Sequence, residues 1–310
     1  MTQLNLPVLD LGGDAAGFAA QIGASFREYG FAMVCGHGID PALIDQGWRL
    51  TAEFFALPDT EKRAFHNSGQ GGARGYTPFG TEIAKDAETH DLKEFWHIGR
   101  ACAPDQPQDP PLPANVWPDR PAGFRAIFER LFAEFDRVGK DLLQRIALDL
   151  GLSRHWFDPA IITGNSVLRL LHYPPLPSHA EGALRASPHE DINLITLLLG
   201  AEEAGLELLD RQGRWHAVNP PRGTLVVNIG DMLQRLTNRV LPSTTHRVIN
   251  PAGAAAQRSR FSMPFFVHLR SDFPISTLKE CTSSANPDQF AQSITADEFL
   301  QERLRQIGLL

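Results

Sequence analysis

His189-Glu190-Asp191-Ile192-Asn193-Leu194-Ile195-Thr196-Leu197-Leu198-Leu199 runs from three ionisable side chains directly into an apolar run of strand length. The run Asn193–Leu199 is one of seven such short segments in the second half of the chain. The others are Ser166–Tyr173, Leu206–Leu209, Trp215–Val218, Thr224–Ile229, Thr244–Ile249 and Arg260–Val267. Gly, Pro or Asn turns separate them, which is the pattern of an all-β barrel or sandwich such as a jelly roll.

The first half reads differently. Leu6–Leu11 is a strand candidate closed by two glycines. Asp14 is placed to cap a helix through Tyr29, with Phe18, Ile22 and Phe26 on one face and Gly30 as the stop. Phe31–Cys35 is the next strand, and Pro41 opens a helix to about Leu57. Residues 67–81 and 101–121 carry loop composition, with Leu92–Ile98 a strand between them. A long helix after Pro121 repeats its apolar positions every 3.6 residues, from Phe124 to Leu150, until Gly151. In the tail, Thr295-Ala296-Asp297-Glu298 is a capping box for a last helix. The fold class expected is α+β, with a β core flanked by N-terminal helices and a C-terminal helix. Residues 1–120 would form a helical/β region packed on the core of 121–310, which begins with the long helix, the two making one compact unit.

The chain has 310 residues, 43% hydrophobic and 21% charged, with a formal net charge of −7. That composition buries a core and is not that of a disordered chain. Without a basic run it is not a nucleic-acid binder, and no apolar stretch has the ~20 residues of a membrane span. Three cysteines, Cys35, Cys102 and Cys281, are odd in number and far apart, which fits neither a disulfide framework nor a Cys-x-x-Cys site. With no visible signal peptide, the expected setting is cytoplasmic. A monomer is favoured over a dimer.

The chemistry lies in three places. On a strand, His189 and Asp191 share a face and Glu190 points away. His246, on a later strand, is the candidate third ligand. Two histidines and one carboxylate leave coordination positions open, which suits ferrous iron that must bind a co-substrate and dioxygen. By average residue frequencies a His-x-Asp triplet arises by chance in roughly a third of chains this long, so hydrogen-bonded core histidines are the alternative. Arg260 and Ser262 share a strand face, and an Arg fork beside a hydroxyl is a receptor for a carboxylate. By the same parity Arg169, Leu171 and Tyr173 share a face, and a buried Tyr hydroxyl needs a partner.

The order of these motifs resembles the isopenicillin N synthase-like group of 2-oxoglutarate/Fe(II) oxygenases. It comprises Arg169-Leu-Leu-His-Tyr-Pro174, His189-x-Asp191, Gly205–Asp210, Val226–Met232, His246 and Arg260-x-Ser262-x-Pro264-Phe-Phe266. The N-terminal Leu6–Leu11, Tyr29-Gly-Phe31 and Gly36-His-Gly-Ile39 match as well. The resemblance covers roughly residues 6–305. It implies a double-stranded β-helix (jelly roll, cupin-like) core and Fe(II) held by His189, Asp191 and His246. It implies 2-oxoglutarate held by Arg260, Ser262 and Tyr173. Dioxygen would then yield succinate, carbon dioxide and a ferryl species that attacks a C–H bond of a small-molecule substrate. That chemistry is iron-centred and needs no separate protein acid or base. One departure stands out: many members carry Asn where this chain has Leu171. Substrate contacts are expected from Arg74, Tyr76, Thr77 and Phe79 in the glycine-rich stretch, and from His97, Arg169, Phe266 and His268. Two other readings remain open, an oxidase of the same fold that needs no 2-oxoglutarate and a non-catalytic binding protein on this scaffold.

Overall fold

The computed structural model describes residues 6–66, 73–83, 89–101, 112–177, 182–199 and 204–306. The first half contains β1 (Val8–Asp10), α1 (Ala15–Tyr29), β2 (Phe31–Cys35), α2 (Pro41–Phe55), α3 (Asp59–Arg63), β3 (Gly75–Thr77), β4 (Glu94–Gly99) and α4 (Phe124–Asp149). There follow α5 (Asp158–Ile161), β5 (Val167–Tyr173), β6 (Ala186–His189), β7 (Ile195–Leu199), β8 (Leu206–Leu209), β9 (Trp215–Ala217) and β10 (Leu225–Ile229). The chain ends with α6 (Asp231–Leu236), β11 (His246–Val248), β12 (Arg260–Val267), β13 (Pro274–Ile275), β14 (Ile294–Thr295) and α7 (Ala296–Gln306).

Two sheets make the jelly roll. The larger has eight strands in the order β1-β2-β10-β7-β12-β5-β4-β3, and the smaller has the order β6-β11-β8-β9. Alternation along β12 sorts its side chains between two environments. Met263, Phe265 and Val267 face α4, where Phe132 and Phe135 meet the Phe265 ring at 5.0 and 5.5 Å between centroids. Arg260, Ser262, Pro264 and Phe266 face the other way, into a cavity. The helix α4 approaches the sheet closely because Gly139 has no Cβ; one built there would lie 2.8 Å from Val267 Cγ2.

The expected helix ends are present. Asp14 accepts a hydrogen bond from Gly17 N at 2.7 Å, and Gly30 closes α1 at φ 67°. At α7, Thr295 N donates to Glu298 Oε2 at 2.9 Å and Glu298 N to Thr295 Oγ1 at 3.2 Å, the reciprocal pair of a capping box. Two readings need correction. The glycine-rich stretch is not all loop, because β3 lies inside it and pairs with β4. The strand β6 was not foreseen beyond its last residue, since Ala-Ser-Pro-His has neither alternation nor a β-branched residue. Among the described residues no helix is long and apolar enough to cross a membrane.

Gly30 couples the N-terminal region to the core. A Cβ there would meet Thr244 Oγ1 at 2.2 Å and the Pro242 carbonyl at 2.6 Å, at a positive φ that other residues adopt only with strain. Gly30→Ala should therefore destabilise the fold by about 2–4 kcal/mol, read as a lower urea midpoint at unchanged slope.

Candidate active site

The two sheets enclose a cavity of about 880 Å³. On the smaller sheet, His246 of β11 stands directly opposite His189 of β6 and their rings lie 4.4 Å apart. Their Nε2 atoms lie 4.0 Å (His189) and 3.9 Å (His246) from Asp191 Oδ1. Each imidazole is oriented by its own strand: His189 Nδ1–H donates to Ser187 O at 2.7 Å and His246 Nδ1–H to Thr244 O at 3.1 Å. Both Nε2 lone pairs are thereby directed at one point beside the carboxylate.

Asp191 reaches that point by a route other than strand parity. The strand β6 ends at His189, and Asp191 lies in the turn that follows. Its carbonyl accepts from Asp231 N at 2.7 Å, and its Oδ2 accepts from Thr196 Oγ1 at 2.5 Å and Asn228 Nδ2 at 2.8 Å. Burial disfavours the charged carboxylate, but the two histidines and these donors outweigh it and hold Asp191 below its ordinary range. Burial, and then the neighbouring His246, push His189 down to about 4, so the ring is neutral as a metal ligand must be. Glu190 instead accepts from the Thr245 hydroxyl. Two imidazoles and one carboxylate around a point with open sides fit ferrous iron.

The larger sheet supplies the second half. In register, Arg260 pairs with Tyr173 and Ser262 with Leu171. Arg260 is 3% exposed, its guanidinium lies 5.0 Å from the Tyr173 ring centroid, and its Nε and Nη1 have no hydrogen-bond acceptor among the described residues. A buried guanidinium with unfilled N–H groups is costly. The site therefore fits a ligand carboxylate, which would fill both. Leu171 packs with Phe95 and Tyr173, so the position at which the chain departs from the resembled motif makes an apolar contact.

A pattern described as the 2OG-Fe(II) oxygenase superfamily matches residues 164–269, and one described as the non-haem dioxygenase in morphine synthesis N-terminal matches residues 6–120. A 2-oxoglutarate-Fe(II) type oxidoreductase of Aspergillus fumigatus is 30% identical over 96% of this chain and 92% of its own. This chain belongs to the 2-oxoglutarate/Fe(II) oxygenase family. A 2OG-Fe(II) oxygenase family protein from Caulobacter crescentus superposes with a TM-score of 0.90 at 49% identity, covering 98% of this chain and 99% of that one. A Neurospora crassa protein crystallised with alpha-KG and thymine superposes at 0.84 with 27% identity, covering 97% and 96%. The oxygenase uses Fe(II), 2-oxoglutarate and dioxygen.

The expected substrate residues of this oxygenase divide into two groups. Arg74, His97, Arg169, Phe266 and His268 line the cavity. Arg74 is buried and donates to Ala73 O at 2.7 Å and Asn165 Oδ1 at 3.0 Å. Burial, first of all, holds His268 down to about 4 and therefore neutral. Tyr76, Thr77 and Phe79 are not among the cavity-lining residues. As part of β3, Tyr76 turns into the core and its hydroxyl donates to Glu94, Thr77 is buried, and Phe79 is 40% exposed. Residues 71 and 72 of that stretch lie outside the described residues. Beyond that stretch, Glu82 pairs with Lys93 at 2.8 Å and Arg169 at 3.4 Å.

Thr196, Asn228 and the pairing of Glu82 with Lys93 are not among the features the sequence singles out. Thr196 and Asn228 carried a signal: each is a polar residue inside an otherwise apolar strand. Glu82 and Lys93 carried none, because their pairing is made only by tertiary contact. If Thr196 and Asn228 orient Asp191, Thr196→Val and Asn228→Ala should each weaken metal binding by about 10- to 100-fold, measured by competition against a chelator.

Proposed function

We propose that the oxygenase hydroxylates a small-molecule substrate, with Fe(II) held by His189, Asp191 and His246. In this reading Arg260, Ser262 and Tyr173 hold the distal carboxylate of 2-oxoglutarate. The carrying observation is the Arg260 guanidinium, buried with Nε and Nη1 unfilled and facing the same cavity as the His–Asp–His cluster. Bound there, iron and 2-oxoglutarate supply oxygen activation, with succinate and carbon dioxide as by-products.

The chain's own residues do the rest. Asp191, fixed by Thr196 and Asn228, keeps a negative charge beside the two imidazoles. Ser262 adds a hydroxyl next to Arg260 on the same strand face, so a carboxylate there is oriented as well as neutralised. Leu171, Leu198, Leu206 and Val248 line the cavity and limit water in it. Phe266, His268, His97 and Arg169 provide the walls against which a substrate would rest. Cys35 and Cys281 are free thiols, which supports a reducing, cytoplasmic setting.

Fe(II) and 2-oxoglutarate added without oxygen should give the visible charge-transfer band of a chelated keto acid. Arg260→Ala should raise the 2-oxoglutarate concentration for half-saturation of that band by at least about 30-fold. A wild-type protein that binds iron but forms no band would instead favour the oxidase that needs no 2-oxoglutarate.

A further inference from the structure

The cavity contains a second guanidinium, at Arg169, whose surroundings set it apart from a structural cation. It extends from the inner face of β5, four residues before Tyr173, the register partner of Arg260. The two arginines thus stand about 13 Å apart along the strand direction. The Arg169 guanidinium lies against two rings, 4.2 Å from the centroid of Phe95 and 5.3 Å from that of Phe266. A guanidinium that near two rings makes its polar contacts in its own plane, where its N–H groups point.

The contacts the protein supplies in that plane are few. Nε donates to His97 Nε2 at 2.5 Å, and Nη1 to Glu82 Oε2 at 3.4 Å. Glu82 lies closer to Lys93, at 2.8 Å, and against burial the Arg169 and Lys93 charges together hold its carboxyl well below the usual range, so Glu82 occupies Nη1 and leaves the rest of the fork. A guanidinium has five N–H groups, and Nη2 of Arg169 has no acceptor among the described residues. The side chain is 15% exposed, and that exposure opens into the cavity. His97 accepts at Nε2, so in its neutral form it carries its proton on Nδ1. The nearby wall adds Phe266 and the neutral ring of His268. The arrangement is a planar donor edge with aromatic sides, largely withdrawn from water.

We propose that Arg169 anchors the substrate and that the substrate is a small carboxylic acid, its carboxylate bound in the plane of the Arg169 fork and its carbon skeleton against Phe266. The proposal rests on the Fe(II) and 2-oxoglutarate assignment above and adds the substrate class. No covalent step is required of Arg169: it is a positioning and specificity residue. One carboxylate, that of 2-oxoglutarate, is read by Arg260, and a different one by Arg169.

The test uses the full chain loaded with Fe(II) and 2-oxoglutarate without oxygen, probed with phenylacetate and its methyl ester. Phenylacetate should bind more tightly than the ester by about 10- to 100-fold, the range for hydrogen bonds to a charged group. It should leave the charge-transfer band in place. Arg169→Gln should keep the band and abolish the preference for the acid. Arg169→Lys should keep the band and part of the preference, because charge remains and the fork is lost. Equal binding of acid and ester by the wild type overturns the proposal. So does an acid preference that survives in Arg169→Gln. Loss of the band on adding phenylacetate also overturns it, because the acid then competes at Arg260. A missing band in the wild type before any probe is added is the separate failure of the co-substrate assignment, and loss of the band in both Arg169 variants overturns the proposal, because Arg169 then serves the co-substrate and not a second acid.

Discussion

The Asp191 carboxylate is the constraint on which the rest of the site depends. It lies in a turn, 8% exposed, where burial works against its charge. It stays charged because Thr196 from β7 and Asn228 from β10 donate to one oxygen while the two imidazoles flank the other. The backbone of Asp231, at the start of α6, holds its carbonyl. One side chain thereby ties the large sheet to the turn after β6, and β6 carries His189 into register with His246. Breaking any of these donors leaves a buried charge incompletely satisfied, a larger penalty than the loss of one ordinary hydrogen bond.

The large sheet works by alternation. Along β12 and β5 one face is a hydrophobic seat for α4, and the other presents Arg260, Ser262, Tyr173 and Arg169 to the cavity. Rigidity on one side and ligand chemistry on the other come from a single strand period. Glycines set the spacing between layers, with Gly139 at the helix–sheet contact and Gly30 at the junction with the segment before His246.

Two buried ionic clusters flank β4. On one side Lys62 meets Glu94 at 2.7 Å, with Tyr76 and His172 on the same carboxylate. On the cavity side Lys93 meets Glu82 and Asp91. Removing one member of such a cluster leaves an uncompensated charge, which is costly. The first cluster explains the place of Tyr76: it is drawn into the core by Glu94 and so is not free to meet a substrate.

The sequence alone was enough for the order and type of most elements, the helix caps, and the His189–Asp191–His246 and Arg260–Ser262 sets. Each of these is written in local periodicity, in capping chemistry or in a motif of fixed spacing. It misplaced Tyr76, Thr77 and Phe79, because glycine content reports backbone freedom and says nothing about which neighbour a side chain finds. It also reached Asp191 by the wrong argument, since parity holds only while a strand continues and β6 stops at His189. Tertiary structure alone decided the donors to Asp191, the pairing of Glu82 with Lys93, and the aromatic slot around Arg169. These contacts join residues distant in sequence, and only the closing of two sheets around one cavity brings them within hydrogen-bond distance.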